Sequence, residues 1–452
     1  MAKRKAQRRE PMDGIIESAL QPGRFIDWYG TSSFVSELHH VESEIEKVVA
    51  ADPARGAVLY ETFIAGCTLR AEELDDSDGE FGTFAGGLYC GWIKARQAAG
   101  VDRGQTARLL LAWMDDDDYG FCNDLEHSAA RVLDRAGLEA FEREVRARFD
   151  KECAALGKEK GSAAANPNYA RNRWGGMLKA VYSRQRNIEK YLDLTARTGL
   201  TQADCEAIAT MFQAKRKLKD ALAWLEQGIQ LDKPQGGFQR GASYKLPEMR
   251  RALLVKLGRS DEALHSAWTE FQADPDKVTY DELIRYVPKT ERGAWHEKAM
   301  VASEQGELGS LIELWLGAKE IDRLAARLGG TSDTQLERLS HYATEPAAQR
   351  LAKTHPGVAA RIFRALCVRI IDAGKSKYYV EALANLEESR RCYQQAGLDD
   401  QWKALVAEIR RDHHRKSGLM PGFEAIVAGK RSRAEPSFLD LARSRWGRKA
   451  EA

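Results

Sequence analysis

The chain has 452 residues, of which 43% are hydrophobic and 30% charged, enough to bury a large core and, by length, either several ordinary domains or one long repeat array. The formal net charge of +2 conceals a split: residues 11–150 carry 13 basic against 27 acidic residues, whereas residues 1–10 carry five basic and one acidic and residues 410–452 eleven basic and five acidic. No apolar run reaches the ~20 residues of a membrane helix, no apolar core follows the basic start as in a secretory signal, and seven singly spaced cysteines without a C-x-x-C pair suit a reducing cytoplasm.

Residues 1–33 are basic at first, then rich in Gly, Pro and polar side chains, and are expected to form a mobile N-terminal arm. From Phe34 a helical period begins, with Phe34, Val35, Leu38, Val41 and Ile45 on one face. Asp52-Pro53 ends that helix, and Pro53 suits the first turn of the next, which answers with Leu59, Phe63 and Ile64. After an acidic loop, Asp75 to Gly82, helices are predicted at roughly 84–99, 104–114, 123–136, 138–156, 168–184, 187–198 and 202–213. Thr201 with Asp204, and further on Ser332 with Gln335, stand at capping-box spacing. Residues 233–243, with three glycines and a proline, read as a flexible loop that joins two sub-arrays or inserts on a binding face. Further helices are predicted at roughly 276–286, 291–305, 307–316, 318–328, 332–343, 345–353, 357–373, 377–396 and 399–413.

A short pattern recurs along this run. Lys219-Asp220-Ala221-Leu222, Asp261-Glu262-Ala263-Leu264 and Val380-Glu381-Ala382-Leu383 each open a helical stripe, the first two 42 residues apart and the third 119 residues further on. A period near forty in an all-helical pattern implies stacked helical hairpins, an all-α solenoid of TPR-like or HEAT-like type. The expected organisation is an arm over 1–33, a first array over 34–232 with an acidic first half, the loop 233–243, a second array over 244–415, and a basic tail over 416–452 that carries a short amphipathic capping helix at 436–446.

The stretch from Gly374 through Tyr378-Tyr379-Val380-Glu381-Ala382-Leu383 to Arg390, the run from His413 through Met420-Pro421-Gly422-Phe423-Glu424, and the turn Tyr119-Gly120-Phe121 together resemble an uncharacterised bacterial family of helical-repeat proteins. Relatives of its C-terminal region occur behind SWIM zinc fingers. The resemblance implies a helical-repeat fold and no established activity. The zinc-finger pattern is absent here, so no DNA-binding role carries over from it.

Chemistry is sparse. No nucleophile elbow, Cys–His pairing or phosphate loop is present, and no catalytic or cofactor-binding residue is assigned. Set against a calcium-binding EF-hand loop, Asp115, Asp117, Gly120, Asn123 and Glu126 fall on ligand or turn positions. Tyr119 and Cys122 do not suit their positions, and the plainer reading is an acidic inter-helix turn. Asp75 to Gly79 reads as a solvated charge run. The basic C-terminus, with Arg410, Arg411, Arg415, Lys416, Lys430, Arg431 and Arg433, offers a sequence-blind nucleic-acid surface. Its alternative is a solvated helix face. His39-His40 and His413-His414 are poor metal pairs, because neighbours on a helix diverge. The reading that results is a cytoplasmic, non-enzymatic interaction scaffold that binds a protein partner along the concave face of the solenoid. Nucleic-acid association, metal binding at Asp115–Glu126 and head-to-tail self-association stand as alternatives.

Overall fold

The structure is a computed structural model that describes residues 11–156, 167–231 and 245–430. It divides into two compact units, residues 1–250 and 251–452. Among the described residues every regular element is helical, apart from one isolated parallel bridge between Ile26 and Leu74. No described helix is long and apolar enough to cross a membrane, and the seven cysteines are all free.

The first unit runs through α1 (Pro11–Ala19), α2 (Trp28–Ala51), α3 (Pro53–Arg70), α4 (Glu80–Ala98), α5 (Arg103–Asp115), α6 (Leu125–Val132), α7 (Arg135–Leu156), α8 (Pro167–Gln185), α9 (Ile188–Thr198), α10 (Gln202–Ala214) and α11 (Leu218–Leu231). Helix α12 (Lys245–Lys256) crosses the boundary between the units. The second unit holds α13 (Ser260–Ala273), α14 (Lys277–Tyr286), α15 (Arg292–Ser303), α16 (Leu308–Ala318), α17 (Ile321–Gly329), α18 (Asp333–Arg338), α19 (His341–Leu351), α20 (Pro356–Asp372), α21 (Tyr379–Ala396), α22 (Asp399–His413) and α23 (Met420–Val427).

Helix starts are written in short polar side chains. Asp27, Asp52 and Asp102 each accept the N–H three residues on, from Gly30 (3.0 Å), Arg55 (3.0 Å) and Gln105 (2.7 Å). Pro53 sits in the first turn of α3, and both expected capping boxes, Thr201–Asp204 and Ser332–Gln335, are formed. Within each unit the substantial helix contacts join elements adjacent in the chain or at most three apart. That is the packing of a helical array, and the fold is an all-α solenoid of stacked hairpins. The recurring motif has a packing role that its spelling does not announce. Ala221, Ala263 and Ala382 are all completely buried, so the small residue opening each stripe lies on the packed side of its helix.

Several elements differ from expectation. Residues 11–33, grouped by sequence with the basic arm, contain α1 and the opening of α2, with Ile16 and Leu20 buried. The helix expected over 123–136 ends at Val132, because Asp134 turns to accept the Gly137 N–H at 2.7 Å and starts α7. The helix expected over 332–343 stops at Arg338, and the carbonyl of Leu339 is taken by Arg369 at 2.7 Å. In the stretch assigned to the basic tail, α23 buries Phe423 and Ile426, and Gly422 packs so tightly on Leu383 that a Cβ there would lie 2.4 Å from its methyl. The unit boundary falls at Arg250–Arg251; the loop 233–243 and the amphipathic segment 436–446 lie outside the described residues.

Buried polar groups tie successive helices together in the first unit. Glu61 on α3 accepts from the Trp92 indole at 2.9 Å and pairs with Arg96 at 3.2 Å, and Arg96, buried on α4, donates to Thr106 on α5 at 3.0 Å. Further along, Asp204 on α10 is 2% exposed and joins three helices. It pairs with Lys179 of α8 at 2.8 Å and accepts from the Tyr191 hydroxyl of α9 at 2.9 Å and the Thr201 N–H at 2.9 Å. Burial works against its charge, but the hydrogen bonds from Lys179 and Thr201 outweigh it and lower its pKa. A carboxylate depressed in the folded state contributes stability that is present above the unfolded pKa, ~3.9, and is lost as pH falls through the folded value. Urea unfolding of Asp204→Ala should therefore show a loss of about 3–5 kcal/mol at neutral pH. The gap to wild type should narrow below about pH 4; a gap that does not change with pH would contradict the assignment.

Candidate functional site

Three segments that are separate in sequence, residues 23–32, 70–80 and 115–126, meet at one corner of the first unit. They carry thirteen carboxylates against two guanidinium groups, Arg24 and Arg70. The first two are fastened by backbone: the Ile26 N–H donates to the Glu73 carbonyl at 2.9 Å, and the Asp75 N–H returns to the Ile26 carbonyl at 2.9 Å. Thr31 adds a hydroxyl bond to the Asp75 carbonyl at 2.8 Å, and the Trp28 indole donates to Asp78 at 2.7 Å. The third segment joins through Tyr119, whose hydroxyl donates to Glu72 at 2.9 Å; that bond raises its phenol pKa.

Glycines in α4 let the third segment sit where it does. A Cβ on Gly86 would lie 2.8 Å from the carbonyl oxygen of Phe121, and one on Gly82 would lie 3.8 Å from its ring. Phe121, 7% exposed, fills the space so opened and meets Phe81 edge to face with centroids 5.6 Å apart. The chain then turns at Gly120, where φ is +79°, a conformation open to glycine. Asp76 stabilises the start of α4 by accepting from the N–H groups of Phe81 and Gly82, both at 2.8 Å. Asp75 to Gly79 is thus partly a capping element rather than only a solvated run.

Two of the EF-hand positions are engaged by other groups of the protein. Asp117 gives both oxygens to backbone, accepting from Phe121 at 3.0 Å and Cys122 at 2.7 Å. Asp115 pairs with Arg173 of α8 at 2.8 Å. Asn123 is exposed, and Glu126 gathers instead with Asp124 and His127, their potential ligand atoms lying within 4.8 Å of one another. Of the four residues read as a metal set, then, two are engaged elsewhere, and the spacing could not show this because their partners lie outside the loop or in its own backbone. The turn's aspartates fix the loop itself; Asp124, the residue before α6, makes no side-chain cap. Cys122 offers no nucleophile at neutral pH, since burial pushes its thiol up to about 12.

The basic C-terminal residues are also partly engaged. Arg410 pairs bidentately with Glu424 at 2.9 and 2.6 Å, and Arg411 with Asp412 at 2.8 Å. Lys416 donates to the Ile371 carbonyl. Arg415 and Lys430 are exposed, and Arg431 and Arg433 lie outside the described residues. Adjacent histidines diverge as their helical spacing requires: His413 faces Asp372 at 3.2 Å and His414 the Arg411 carbonyl at 3.1 Å, while His39 and His40 turn to Glu42 and the Ser36 carbonyl.

A family model described as "Family of unknown function (DUF6880)" matches residues 18–420. The chain belongs to that family. No curated protein matches it. Among solved structures, one described as "Structure of Naa15/Naa10 bound to HypK-THB" is similar at 12% identity with a TM-score of 0.32, over 98% of this chain and 73% of that one.

Sequence reasoning missed the aromatic part of the corner. Phe25, Trp28 and Tyr29 fall within the span expected as the arm, although three aromatic residues within five positions are a signal in an otherwise polar stretch. Two glycines one residue apart test the geometry. Gly86→Ala should cost about 1–3 kcal/mol by forcing Phe121 away from α4. Gly87→Ala, with no atom near its missing Cβ, should be neutral or stabilising by about 0.5–1 kcal/mol; equal effects in urea titrations would refute the close approach. Because Asp115 and Asp117 are engaged, millimolar calcium or magnesium should leave the melting temperature within about 1 °C of its metal-free value, whereas a ligand binding only the folded state would raise it.

Proposed function

We propose that the chain is a non-enzymatic scaffold that binds a protein partner along helix faces its repeats leave to solvent. The array packing within each unit supports this. When a helix rests only on its near neighbours in the chain, each hairpin keeps one face for its neighbours and leaves another to solvent, and such arrays serve as extended binding surfaces. The functional residues would then be side chains on exposed faces rather than a buried reacting centre.

The test is an affinity capture from native lysate with and without nuclease, read by mass spectrometry. The expected result is one or a few proteins retained in both samples. Recovery that disappears with nuclease would replace this reading with the basic-surface one, and no enriched protein in either sample would remove it.

A further inference from the structure

The acidic corner of the first unit carries aromatic rings that its own packing leaves partly exposed. Tyr29 is 85% exposed, Phe25 62%, Trp28 47% and Tyr119 42%. A lone exposed aromatic residue needs no explanation. Here four lie on segments laced together by the Ile26–Leu74 bridge, the Trp28–Asp78 bond and the Tyr119–Glu72 bond. Their geometry is held: Trp28 and Tyr29 meet edge to face with centroids 4.9 Å apart, and the ring of Tyr119 stacks on buried Phe121 at 5.8 Å. Pre-set aromatic rings lose little freedom on binding, which is why Tyr and Trp are enriched at interfaces.

The charge around these rings selects the partner. Asp27, Glu72, Asp78, Glu80, Asp116 and Asp118 are all exposed on the same three segments, and Arg24 is the one exposed cation in them. Such a field repels phosphate chains and concentrates cations. The two features converge on one chemistry, because a guanidinium or ammonium group is attracted both to an aromatic face and to a carboxylate. We propose that this corner is the docking surface for a basic, Arg- and Lys-containing segment of a partner protein, with Trp28, Tyr29 and Tyr119 receiving cationic side chains and Asp116 and Asp118 pairing with them. This rests on the scaffold reading and names the partner class for one surface of it.

The test uses the full chain and a fluorescein-labelled peptide of alternating Arg and Lys, with an all-Glu and a Gly/Ser peptide of equal length as controls, followed by anisotropy at low and raised salt. Asp116 and Asp118 are exposed and, among the described residues, hold no side-chain hydrogen bond or ion pair, although the charge of Asp118 is felt by the Tyr119 phenol, so Asp116→Lys/Asp118→Lys should keep the wild-type melting temperature while weakening the basic peptide by tenfold or more. Tyr29→Ala should weaken it by about two- to fivefold, the size of an exposed cation–aromatic contact. Raising salt should weaken wild-type binding steeply. Binding of the basic peptide no stronger than of the Gly/Ser control, or equal binding by the charge-reversed chain, overturns the proposal. So does light scattering that shows wild type as a dimer and the charge-reversed chain as a monomer, since the occupant would then be a second copy. Captured lysate proteins in wild type together with loss of the preference for the basic peptide would leave the scaffold reading standing while this surface is refuted; no captured protein in wild type would refute the scaffold instead.

Discussion

Close approach between helices at residues with little or no side chain is the constraint on which the rest of this molecule depends. Hairpins of amphipathic helices cannot bury their apolar faces alone, and how near a neighbour comes is set by the bulk at the crossing point. Ala221, Ala263 and Ala382, the small residues of their motifs, are completely buried. Gly91 admits the Tyr60 ring, Gly86 the backbone of Phe121, and Gly422 the side chain of Leu383. Filled contacts of this kind carry the dispersion and burial energy that a void would forfeit.

Polar groups then fix the register that packing permits. Glu61 with Trp92, Arg96 and Thr106, and Asp204 with Lys179 and Tyr191, each join three successive helices. A buried ion pair adds little over a well-packed apolar contact, but removing one partner is costly because it strands the other. Such ties therefore discriminate among packings. In the second unit Arg364 of α20 does the same, reaching Glu337 of α18 and Glu408 of α22, both at 3.0 Å.

At the acidic corner both effects meet. Glycines in α4 bring the 115–126 turn against the helix, and backbone and indole bonds bring residues 23–32 against the 70–80 loop. Carboxylates that look alike in the sequence are thereby sorted. Asp76 and Asp117 are absorbed by backbone N–H groups and Asp115 by Arg173, whereas Asp116 and Asp118 face solvent. The surface that results is acidic and aromatic together, although its parts lie as much as about a hundred residues apart in the chain.

The sequence by itself determined the helices. Apolar spacing, the Asp caps, Pro53 and the two capping boxes are local signals, and helix formation is a local process whose hydrogen bonds close within four residues. The period near forty carried the architecture as well, because each repeat meets mainly its neighbours. Tertiary structure alone decided where helices stop when the signal lies elsewhere, as at Leu339, held by Arg369 from thirty residues away. It also decided the docking of α1 and α23, two short helices whose burial depends on faces supplied by other elements. Above all it decided which acidic residues remain available. A spacing template counts oxygens along the chain, but whether Asp115 and Asp117 can serve a ligand depends on Arg173 and on a turn geometry set by Gly86 and Gly120, and neither is visible in the spacing of the aspartates themselves.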